Sequence, residues 1–417
     1  MTKHVLIVGG GVVGLCAALY ATQRGHRITI VERGAPDHDS CSLGNAGMIV
    51  PSHIIPLAAP GVVAQALRWM WNPQSPFYIK PRLSRDLMDW AWRFWRASGT
   101  AHVARSAPLL RDLHLAGRAC YEELAASRDN DFGLVRKGLL MLCRTGHALE
   151  EESRNADHAR RHGIPAEVLD ARQTAILDPG LRMSIAGAVH YPKDCHLSPD
   201  RFVAGTTALL EREGVEFAWG TEVTGWRSHG GQIAAVRTNR GEIAAEEFVV
   251  AGGAWSQLIV RDLRIKLPLQ AGKGYSLTLP GPRKLPNLCS ILCEARIAVT
   301  PIGAALRFGG TMEISGLDEK VSTARVRGII RSVPEYFPDF SPDDFRDITP
   351  WHGLRPLTPD GLPYLGRTGR YNNLIIATGH AMMGMSLGPI SGKLVAQLLS
   401  GEQPSIDIGL LSPDRYA

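Results

Sequence analysis

Short apolar runs alternate with glycine turns along the first part of the chain. Residues 4–9 (HVLIVG) are an unbroken apolar run, which predicts a buried parallel strand. A glycine turn and an apolar segment at 12–24 follow, and they predict a helix that stops at Gly25. Residues 26–33 (HRITIVER) predict a second strand that ends on Glu32. Strand, turn, helix and strand in this order, over about 30 residues, form a βαβ unit.

The rest of the chain alternates helical and strand-like patterns without an internal repeat. Helical patterns predict four further helices, at 102–128, 145–162, 170–176 and 197–214. Short strand-like segments predict a β-meander at 215–228, 231–239 and 241–253. A second mixed segment follows, and the chain closes on a predicted strand at 372–380 and a predicted helix at 385–401.

Five of the nine tryptophans lie between Trp69 and Trp95. Two interpretations of this stretch stay open. The aromatic side chains either pack the substrate-binding part of the protein, or they form a patch that touches a membrane surface or a quinone-bearing partner.

Composition narrows the class of protein. A length of 417 residues allows two domains with a large core, and 45% hydrophobic with 21% charged residues is ordinary for a soluble globular protein. The net charge of +6 comes from scattered cations, so nucleic-acid binding is disfavoured and an anionic ligand fits as well. Seven cysteines without CxxC or CxxH spacing indicate reduced thiols in the cytosol, and Cys289 and Cys293 do not form a zinc site.

The apolar segment 5–22 has the length of a signal peptide or a membrane span. Three consecutive glycines interrupt it, and a strand, a turn and a helix explain it better. No other run of about 18 apolar residues exists, so no transmembrane helix is expected. The expected location is the cytoplasm, with peripheral contact to the inner face of the membrane as the alternative.

Residues 9–14 (GGGVVG) contain the GxGxxG pattern between a predicted strand and a predicted helix. The first glycine permits a tight turn, the second lets the backbone approach a pyrophosphate, and the third lets the helix pack on the strand. The amides at the helix N-terminus then face the phosphates. Glu32 ends the second strand, where a carboxylate accepts hydrogen bonds from a ribose. Arg33 either contacts a 2′-phosphate or is a neighbouring surface arginine.

Two later glycine turns favour FAD over a nicotinamide cofactor. One lies at 249–256 (VVAGGAWS), and the other, at 374–389, lies almost at the C-terminus. A simple nicotinamide domain seldom returns to its nucleotide from the far end of the chain, whereas an FAD fold does. The helix that begins near Gly384 to Leu387 can direct its positive end at the flavin N1–C2=O edge, where it stabilises the charge that arrives with a hydride.

The stretch 41–61 (CSLGNAGMIVPSHIIPLAAPG) combines small residues, one asparagine, one histidine and three prolines without a helical or strand period. Segments of this kind are usually loops, and loops held by a scaffold often carry function. We expect its glycines and asparagine to let the backbone lie against a flat ring.

Five motifs, spread from end to end of the chain, carry a family resemblance: GGGVVG with VER, CSLGNAG with PLAAPG, KGYSLT, GLRPLTPDGLPYLG and the closing SPDRY. With them the chain resembles the FAD-dependent D-amino-acid dehydrogenase family, within the larger group that includes D-amino-acid oxidase and glycine oxidase. Residues 51–61 and 380–389 look most similar to the branch of D-hydroxyproline dehydrogenases.

The resemblance implies roles for individual residues. Arg355 would pair with the substrate carboxylate, and Tyr275 would lie near the substrate unless it is a core tyrosine. His53 and His380 are each either structural or part of the flavin or substrate pocket, and His352 is interpreted as structural. The catalytic candidates are therefore Arg355, Tyr275 and His53. The candidate cofactor contacts are Gly9, Gly11, Val12, Val13, Gly14, Glu32, Arg33, Ser42, Asn45, Ala46, Gly47, Met48, Val223, Gly252, Gly253, Gly379, His380, Gly384, Met385, Ser386 and Leu387.

The expected fold class is α/β plus α+β. It combines a Rossmann-like FAD-binding domain built from discontinuous segments (1–55, 195–265 and 350–417) with a mixed-sheet substrate-binding domain (56–194 and 266–349). No metal and no nucleic acid are expected as partners.

The resemblance implies oxidation of the Cα–N bond of a D-amino or D-imino acid by hydride transfer to flavin N5. The favoured substrates are cis-4-hydroxy-D-proline and D-proline, and the electron acceptor would be a quinone or an electron-transfer protein. Three alternatives stay open: an oxidase that uses O2, an enzyme of the glycine- or sarcosine-oxidising type, and a flavin-holding subunit of an electron-transfer complex.

Overall fold

The computed structural model describes residues 2–38, 40–70 and 75–417. The helices in these ranges are α1 Val12–Thr22, α2 Val62–Trp69, α3 Arg85–Ala97, α4 Thr100–Ser127, α5 Gly146–Arg161, α6 Ala171–Leu177, α7 Pro199–Arg212, α8 Ser256–Ile259, α9 Thr323–Tyr336 and α10 Gly384–Leu399. The strands are β1 His4–Val8, β2 Arg27–Val31, β3 Met48–Ile49, β4 Phe77–Ile79, β5 Leu139–Cys143, β6 Glu167–Asp170, β7 Gly187–Tyr191, β8 Cys195–His196, β9 Glu216–Ala218, β10 Val223–His229, β11 Gln232–Thr238, β12 Gly241–Ala244, β13 Glu247–Val250, β14 Gln270–Pro280, β15 Cys289–Leu292, β16 Ile297–Ile302, β17 Ala305–Ile314, β18 Trp351–Leu357, β19 Tyr364–Arg367 and β20 Leu374–Thr378.

A six-stranded sheet in the order β19-β20-β13-β1-β2-β9 forms one layer of the fold. Its strands are parallel except β19, which runs antiparallel to β20. The continuous apolar runs of β1 and β20 suit parallel strands that are buried on both faces. α1 and α10 pack so closely here that a Cβ at Gly392 would lie only 2.4 Å from the carbonyl carbon of Cys16. The predicted βαβ unit and the closing strand–helix pair are confirmed.

The predicted meander is only partly right. β10, β11 and β12 form an antiparallel sheet, but the predicted strands at 215–228 and 241–253 are each divided. Their other halves, β9 and β13, pair in parallel with β2 and β1. The division follows burial, since all four residues of β13 are buried while β12 is largely exposed. Gly220, with φ +61°, turns the chain between β9 and β10.

The four further helices predicted from periodicity are confirmed as α4, α5, α6 and α7. Local caps explain where two of them begin. The Thr145 side chain accepts a hydrogen bond from the Ala148 amide at the start of α5. Asp170 and Gln173 form a capping box at the start of α6.

A second, larger sheet runs in the order β18-β14-β17-β16-β15-β5-β7-β6, and β4 pairs with β17. Apolar side chains between this sheet and α9 form its core, including Phe308 and Tyr336. β18 belongs to this sheet through its pairing with β14, although the predicted FAD-binding domain includes residues 350–417. The mixed α/β class is confirmed, and the division into two domains stays a prediction.

A short antiparallel ladder ties the loop after the first βαβ unit to the middle of the chain. β3 pairs with β8, with Met48 opposite His196 and Ile49 opposite Cys195. The Leu197 amide also donates to the Gly47 carbonyl at 2.9 Å. The stretch 41–61 is therefore anchored to the residues around β8 at Gly47 and along β3.

The tryptophan-rich stretch contains buried and exposed aromatic residues. Trp90 of α3 is buried and donates from Nε1 to the Leu357 carbonyl at 2.9 Å. Trp92 and Trp95 on the same helix are 52% and 65% exposed. Trp71 lies outside the described residues. In the part of the chain that the structure describes, no helix combines the length and the apolar character needed to cross a bilayer.

Candidate active site

A cavity of about 1270 Å³ is lined by residues from both large sheets. Its walls include the carboxyl ends of β1, β2 and β13, which meet at one edge of the parallel sheet. Open α/β sheets bind ligands at this edge. The N-terminal ends of α1 and α10, the stretch 41–61 and the inner faces of β14, β17 and β18 complete the walls.

One end of the cavity is built from the first glycine turn. Gly9 has φ +113°, and a Cβ there would lie 2.5 Å from the Ala251 carbonyl oxygen. The Glu32 carboxylate is held by two backbone amides, since Gly10 N donates to Oε2 and Gly34 N donates to Oε1, each at 2.8 Å. These bonds fix the carboxylate at the cavity wall, where its remaining lone pairs can accept from a ligand.

The first helix begins beside this turn. Gly11 is the N-cap of α1 and makes no side-chain cap, while the Val12 amide donates to Ser42 Oγ at 3.0 Å. Arg33 also lines the cavity, but its guanidinium stacks on the Trp255 ring at 3.7 Å from the centroid. That contact accounts for Arg33 without a phosphate.

The middle of the cavity is bordered by the small residues of the stretch 41–61. A Cβ at Gly44 would lie 2.1 Å from Trp351, so the backbone packs directly on this ring. Asn45 Oδ1 accepts from the Gly47 amide at 2.8 Å, which fixes the local turn. Arg307 Nη1 donates to the Leu43 and Asn45 carbonyls at 2.8 and 2.7 Å. The loop is thus rigid and presents backbone to the cavity, and the N-terminus of α10 at Gly384 borders the same region.

Arg355 lies at the other end, on β18. Its Nη1 donates to the Thr311 carbonyl at 2.6 Å, and its guanidinium covers Gly274, where a Cβ would lie 2.2 Å from Nη2. Burial lowers the pKa of this guanidinium from its ordinary value. Among the described residues, no carboxylate forms an ion pair with it. Arg355 is therefore a half-buried cation in the wall of the cavity.

Tyr275 borders the cavity from the neighbouring strand β14. Its hydroxyl donates to Glu313 Oε2 at 2.8 Å and accepts from the Ser322 amide at 3.1 Å. Lys273 Nζ lies 3.8 Å from Glu313 Oε1 in the same buried group. Burial is the first cause that raises the pKa of Tyr275, and the bond to Glu313 adds to it. The ring therefore faces the cavity while the hydroxyl serves the core of the sheet.

Among the described residues, five histidines line the cavity: His38, His53, His114, His352 and His380. Burial lowers the pKa of His380 to about 4, and its Nε2 bonds Ser391 Oγ at 2.8 Å. Burial lowers the pKa of His114 to about 3; its Nδ1 bonds Ser386 Oγ at 2.9 Å and its Nε2 is buried without a partner. His53 has a pKa lowered to about 4 by burial first and by Arg296 second.

Most of the predicted site residues line the cavity, but Gly14, Gly47, Gly379 and Ser386 do not. Three of these are packing glycines: a Cβ would meet Gly9 O at 2.0 Å from Gly14, Leu197 O at 2.2 Å from Gly47, and Thr358 Cγ2 at 2.5 Å from Gly379. Ser386 acts behind the wall, where its Oγ accepts from the Val50 amide at 3.1 Å.

Sequence reasoning missed several lining residues. His114 lies on α4 and Arg296 lies in the turn between β15 and β16, and nothing in their neighbourhood along the chain marks them. His352, interpreted as structural, lies on β18 opposite Tyr275 and lines the cavity as well. Gly274 does not line the cavity but packs against the Arg355 guanidinium, and it could have been noticed because it stands beside Tyr275 in the KGYS motif.

Comparison with known proteins shows what this chain is similar to. Residues 4–398 match the family model DAO, described as FAD dependent oxidoreductase. The D-amino acid dehydrogenases of Granulibacter bethesdensis and Rhizorhabdus wittichii are each 33% identical to the chain, over 99% of its length and 100% of theirs. Among solved structures, glycine oxidase from Geobacillus kaustophilus superposes with a TM-score of 0.80 at 26% identity, covering 100% of both chains.

Proposed function

Because this chain belongs to the DAO family of FAD-dependent oxidoreductases, we propose that it oxidises the Cα–N bond of a D-amino or D-imino acid. The product is the imine, which hydrolyses to a 2-oxo acid when the substrate is acyclic. A cyclic imino acid such as hydroxyproline instead yields a pyrroline carboxylate. The full-length identity to two D-amino acid dehydrogenases supports this substrate class.

The residues of the cavity fit the family's cofactor, FAD. The turn at Gly9 packs directly on the Ala251 carbonyl and would let the pyrophosphate approach the backbone, and Glu32, held by two amides, would accept hydrogen bonds from the ribose. The N-terminus of α1 would hold the pyrophosphate, and the rigid backbone at 42–48 with the N-terminus of α10 would hold the flavin. When bound, FAD supplies the two-electron acceptor for a hydride from the substrate Cα.

Arg355 is the observation that carries the proposal. This half-buried cation lines the cavity and forms no ion pair with a carboxylate within the described residues, so an anion that enters the cavity can pair with it. A planar guanidinium matches a carboxylate with two parallel hydrogen bonds, and Thr311 O already fixes its plane through Nη1. The α-carboxylate of an amino acid is such an anion. A substrate bound at Arg355 would have its Cα hydrogen held in the geometry needed for transfer, so that positioning contributes to the rate in addition to acid–base chemistry.

Within this class we favour cis-4-hydroxy-D-proline and D-proline. The resemblance of residues 51–61 and 380–389 to the D-hydroxyproline dehydrogenase branch supports this choice. The first segment contributes His53 to the cavity wall, and the second contributes His380. A second candidate is oxidation of glycine or an N-methylated glycine with O2. The likeness to a glycine oxidase, at a TM-score of 0.80, favours that candidate.

The proposed electron acceptor is a membrane quinone. α2 and α3 expose Leu67, Trp92 and Trp95, and Leu67 and Trp95 also line the cavity. An exposed apolar surface that continues into a cofactor cavity gives an apolar acceptor a route to the flavin. Arg68 and Arg96 in the last turns of these helices add charge that attracts an anionic bilayer.

Anaerobic bleaching of the flavin tests the substrate proposal. The purified holoprotein would be mixed with cis-4-hydroxy-D-proline, D-proline, D-alanine, glycine and the matching L-enantiomers, and the loss of flavin absorbance would be followed. We expect the two cyclic D-imino acids to bleach fastest and the L-enantiomers not to react. Bleaching by glycine alone would favour the second candidate, and bleaching by none of them would contradict both.

Vesicles test the acceptor proposal. The double variant W92S/W95S is expected to sediment less with vesicles of anionic lipid and to reduce a short-chain ubiquinone more slowly, while bleaching by substrate stays unchanged. Ile176→Ser is the matched control, because Ile176 is 71% exposed but lies on α6 and does not line the cavity. Fast peroxide formation in air with no quinone reduction would contradict the proposal.

A further inference from the structure

We infer that His53 is the proton acceptor of this cavity, set in that role by Asp194 through the hydroxyl of Ser52. The inference rests on the proposed function, because the proton it takes is that of a substrate ammonium group. Asp194 and Ser52 are positioning residues. Ser52 lies in the segment 51–61 that carries the family resemblance, whereas no sequence motif marks Asp194.

Three hydrogen bonds define the arrangement. The Ser52 amide donates to Asp194 Oδ1 at 3.0 Å, and the Ser52 hydroxyl donates to Asp194 Oδ2 at 2.5 Å. The Ser52 Oγ is also 3.0 Å from His53 Nδ1. Because the hydroxyl has one hydrogen and gives it to the carboxylate, its oxygen accepts from Nδ1–H. The second ring nitrogen, Nε2, is then unprotonated.

The fold brings these three residues together from distant parts of the chain. Asp194 precedes β8, and β8 pairs with β3, which leads into Ser52 and His53. The Asp194 backbone is fixed as well, since its amide donates to Tyr191 O and its carbonyl accepts from Gly138 N, each at 3.1 Å. The carboxylate is 1% exposed, so its only hydrogen-bond donors in the described residues are the two from Ser52.

His53 differs from the histidines beside it. His380 has its Nε2 engaged by Ser391, and His114 has its Nε2 sealed in the protein without a partner. His53 lines the cavity, and its Nε2 is not among the sealed atoms and makes no hydrogen bond within the described residues. A lone pair is therefore open to the cavity at this nitrogen.

The surrounding charges keep His53 neutral. Arg296 and His114 are the ionisable groups that face it apart from Asp194, and burial with Arg296 lowers its pKa to about 4. Burial raises the pKa of Asp194 to about 7, against the two bonds from Ser52 and the charge of Arg118. The other titratable groups near this carboxylate are Tyr191, Cys195 and Cys289.

Protonation of Asp194 reverses the arrangement. A neutral carboxyl group donates to Ser52 Oγ, and the hydroxyl hydrogen then turns to His53 Nδ1. The imidazole proton moves to Nε2, which no longer has a lone pair for the substrate. The acceptor is therefore available above a pH of about 7 and lost below it, although His53 itself stays uncharged.

The chemical step balances within the proposed reaction. An N–H bond of the substrate ammonium breaks and a bond from hydrogen to His53 Nε2 forms, while the Nδ1 proton passes to Ser52 Oγ and the Ser52 hydroxyl proton passes to Asp194 Oδ2, so that His53 stays neutral. The electron pair of the broken N–H bond stays on the substrate nitrogen. That pair forms the C=N bond as the Cα hydrogen leaves as hydride with two electrons to FAD. The amine must lose this proton first, because a positively charged nitrogen has no pair to share.

The pH dependence of anaerobic flavin reduction tests the arrangement. In the wild type the reduction rate at saturating substrate is expected to rise through a pH of about 7. His53→Ala is expected to lower it about 100-fold or more at pH 8, with partial rescue by added imidazole. Ser52→Ala and Asp194→Asn are expected to lower the rate and to remove the rise near pH 7.

Matched controls come from a second Ser–Asp pair. Ser198 Oγ donates to Asp200 Oδ1 at 2.8 Å, and neither residue lines the cavity. Ser198→Ala and Asp200→Asn are expected to keep the wild-type profile. If His53→Ala reduces flavin at the wild-type rate with the wild-type profile, the inference is wrong while the proposed function stands.

A spectroscopic readout separates the inference from turnover. In holoprotein labelled with ¹⁵N-histidine, His53 is expected to carry its proton on Nδ1 at pH 8 and to move it to Nε2 below pH 6. Asp194→Asn is expected to abolish that pH-dependent change of tautomer. An Nε2–H tautomer at pH 8 in the wild type would overturn the inference whether or not any amino acid is oxidised.

Discussion

The two ends of the cavity differ in how their polar groups are satisfied. At the nucleotide end, Glu32 is bonded by two amides and the first amide of α1 by Ser42. At the end that we propose for the substrate, Arg355 bonds the Thr311 carbonyl but pairs with no carboxylate among the described residues, and His114 has a ring nitrogen buried without a partner there. Unpaired buried polar groups are costly. The polar groups of the proposed nucleotide end are therefore satisfied by the protein itself, whereas the proposed substrate end leaves a cation without a carboxylate and a ring nitrogen without a partner in the described residues.

The nucleotide end can be broken by one small side chain. Gly14→Val places a Cβ where Gly9 O lies 2.0 Å away, so helix and turn must separate. We expect a loss of stability on the order of 3 kcal/mol and protein purified without flavin. Flavin absorbance relative to protein absorbance measures the loss.

Gly146→Ala is the control for this change. Gly146 is the first residue of α5, and a Cβ there would meet no packed atom within 4 Å. This variant is expected to keep full flavin content. Normal flavin content in Gly14→Val would contradict the packing argument.

Tyr275→Phe asks whether the hydroxyl serves the substrate or the sheet. Removing it leaves Glu313 buried without its 2.8 Å donor, so we expect the free energy of unfolding to fall by about 1–3 kcal/mol. The KM for a D-amino acid should change little, because the ring that borders the cavity remains. Urea unfolding and steady-state kinetics measure the two effects.

Tyr336→Phe removes a tyrosine–glutamate bond of the same kind, to Glu294, away from the cavity. It is expected to lower stability without affecting KM. A tenfold rise in KM for Tyr275→Phe with unchanged stability would instead assign its hydroxyl to the substrate.

The raised pKa of Asp194 predicts that the free energy of unfolding of the protein depends on pH. Its pKa is raised from 3.8 to about 7 in the folded protein, so between these values the folded state holds a proton that the unfolded state has lost. Stability should therefore fall as pH rises from about 4 to about 7, on the order of 1 kcal/mol per pH unit. Above a pH of about 7 this contribution is constant.

The variant Asp194→Asn isolates the contribution of this carboxyl group to the free energy of unfolding, because all other groups titrate in both proteins. The difference in unfolding free energy between variant and wild type should grow in favour of the variant across that pH range. Urea unfolding at pH 4.5, 5.5, 6.5 and 7.5 measures it. A difference that is constant with pH would show that this carboxylate is not held against its ionisation.

Arg33→Ala should have the smallest effect. Its guanidinium stacks on Trp255 and is 44% exposed, so the contact contributes about 0.5–1 kcal/mol. We expect the dissociation constant for FAD to change by a few-fold at most. A tenfold weaker affinity, measured by flavin fluorescence, would mean that Arg33 binds the cofactor directly.

The two ends of the cavity also differ in how much of each could be predicted from the sequence. The glycine turn, Glu32 and the parallel strand β1 lie within 30 residues of one another, and local pattern suffices to predict them. The division of 241–253 into β12 and β13 depends on which strand lies beside β1, and no local pattern reports that. The pairing of β13 with β1 in the folded protein therefore determines where this segment is divided into two strands.

At the proposed substrate end, the contacts that fix the side chains join residues that are even farther apart in the sequence. Ser52 meets Asp194 only because β3 pairs with β8, and Arg355 is fixed by Thr311 from another strand. Arg355 itself was assigned through family resemblance, and its place in the cavity wall beside Thr311 and Gly274 is a property of the fold. His114 carries no signal in the sequence, since a single histidine on a helix is ordinary.

The central claim is that Arg355 is the receptor for the substrate carboxylate. The most direct test is an anaerobic binding titration, followed by flavin absorbance, with pyrrole-2-carboxylate and its neutral carboxamide. Neither ligand has a hydrogen at Cα to lose, so only binding is measured. The wild type is predicted to bind the carboxylate and to discriminate against the amide, and Arg355→Leu to bind the carboxylate about 100-fold more weakly while keeping its flavin. Equal affinity of Arg355→Leu and wild type for the carboxylate, with flavin content intact, would contradict the account.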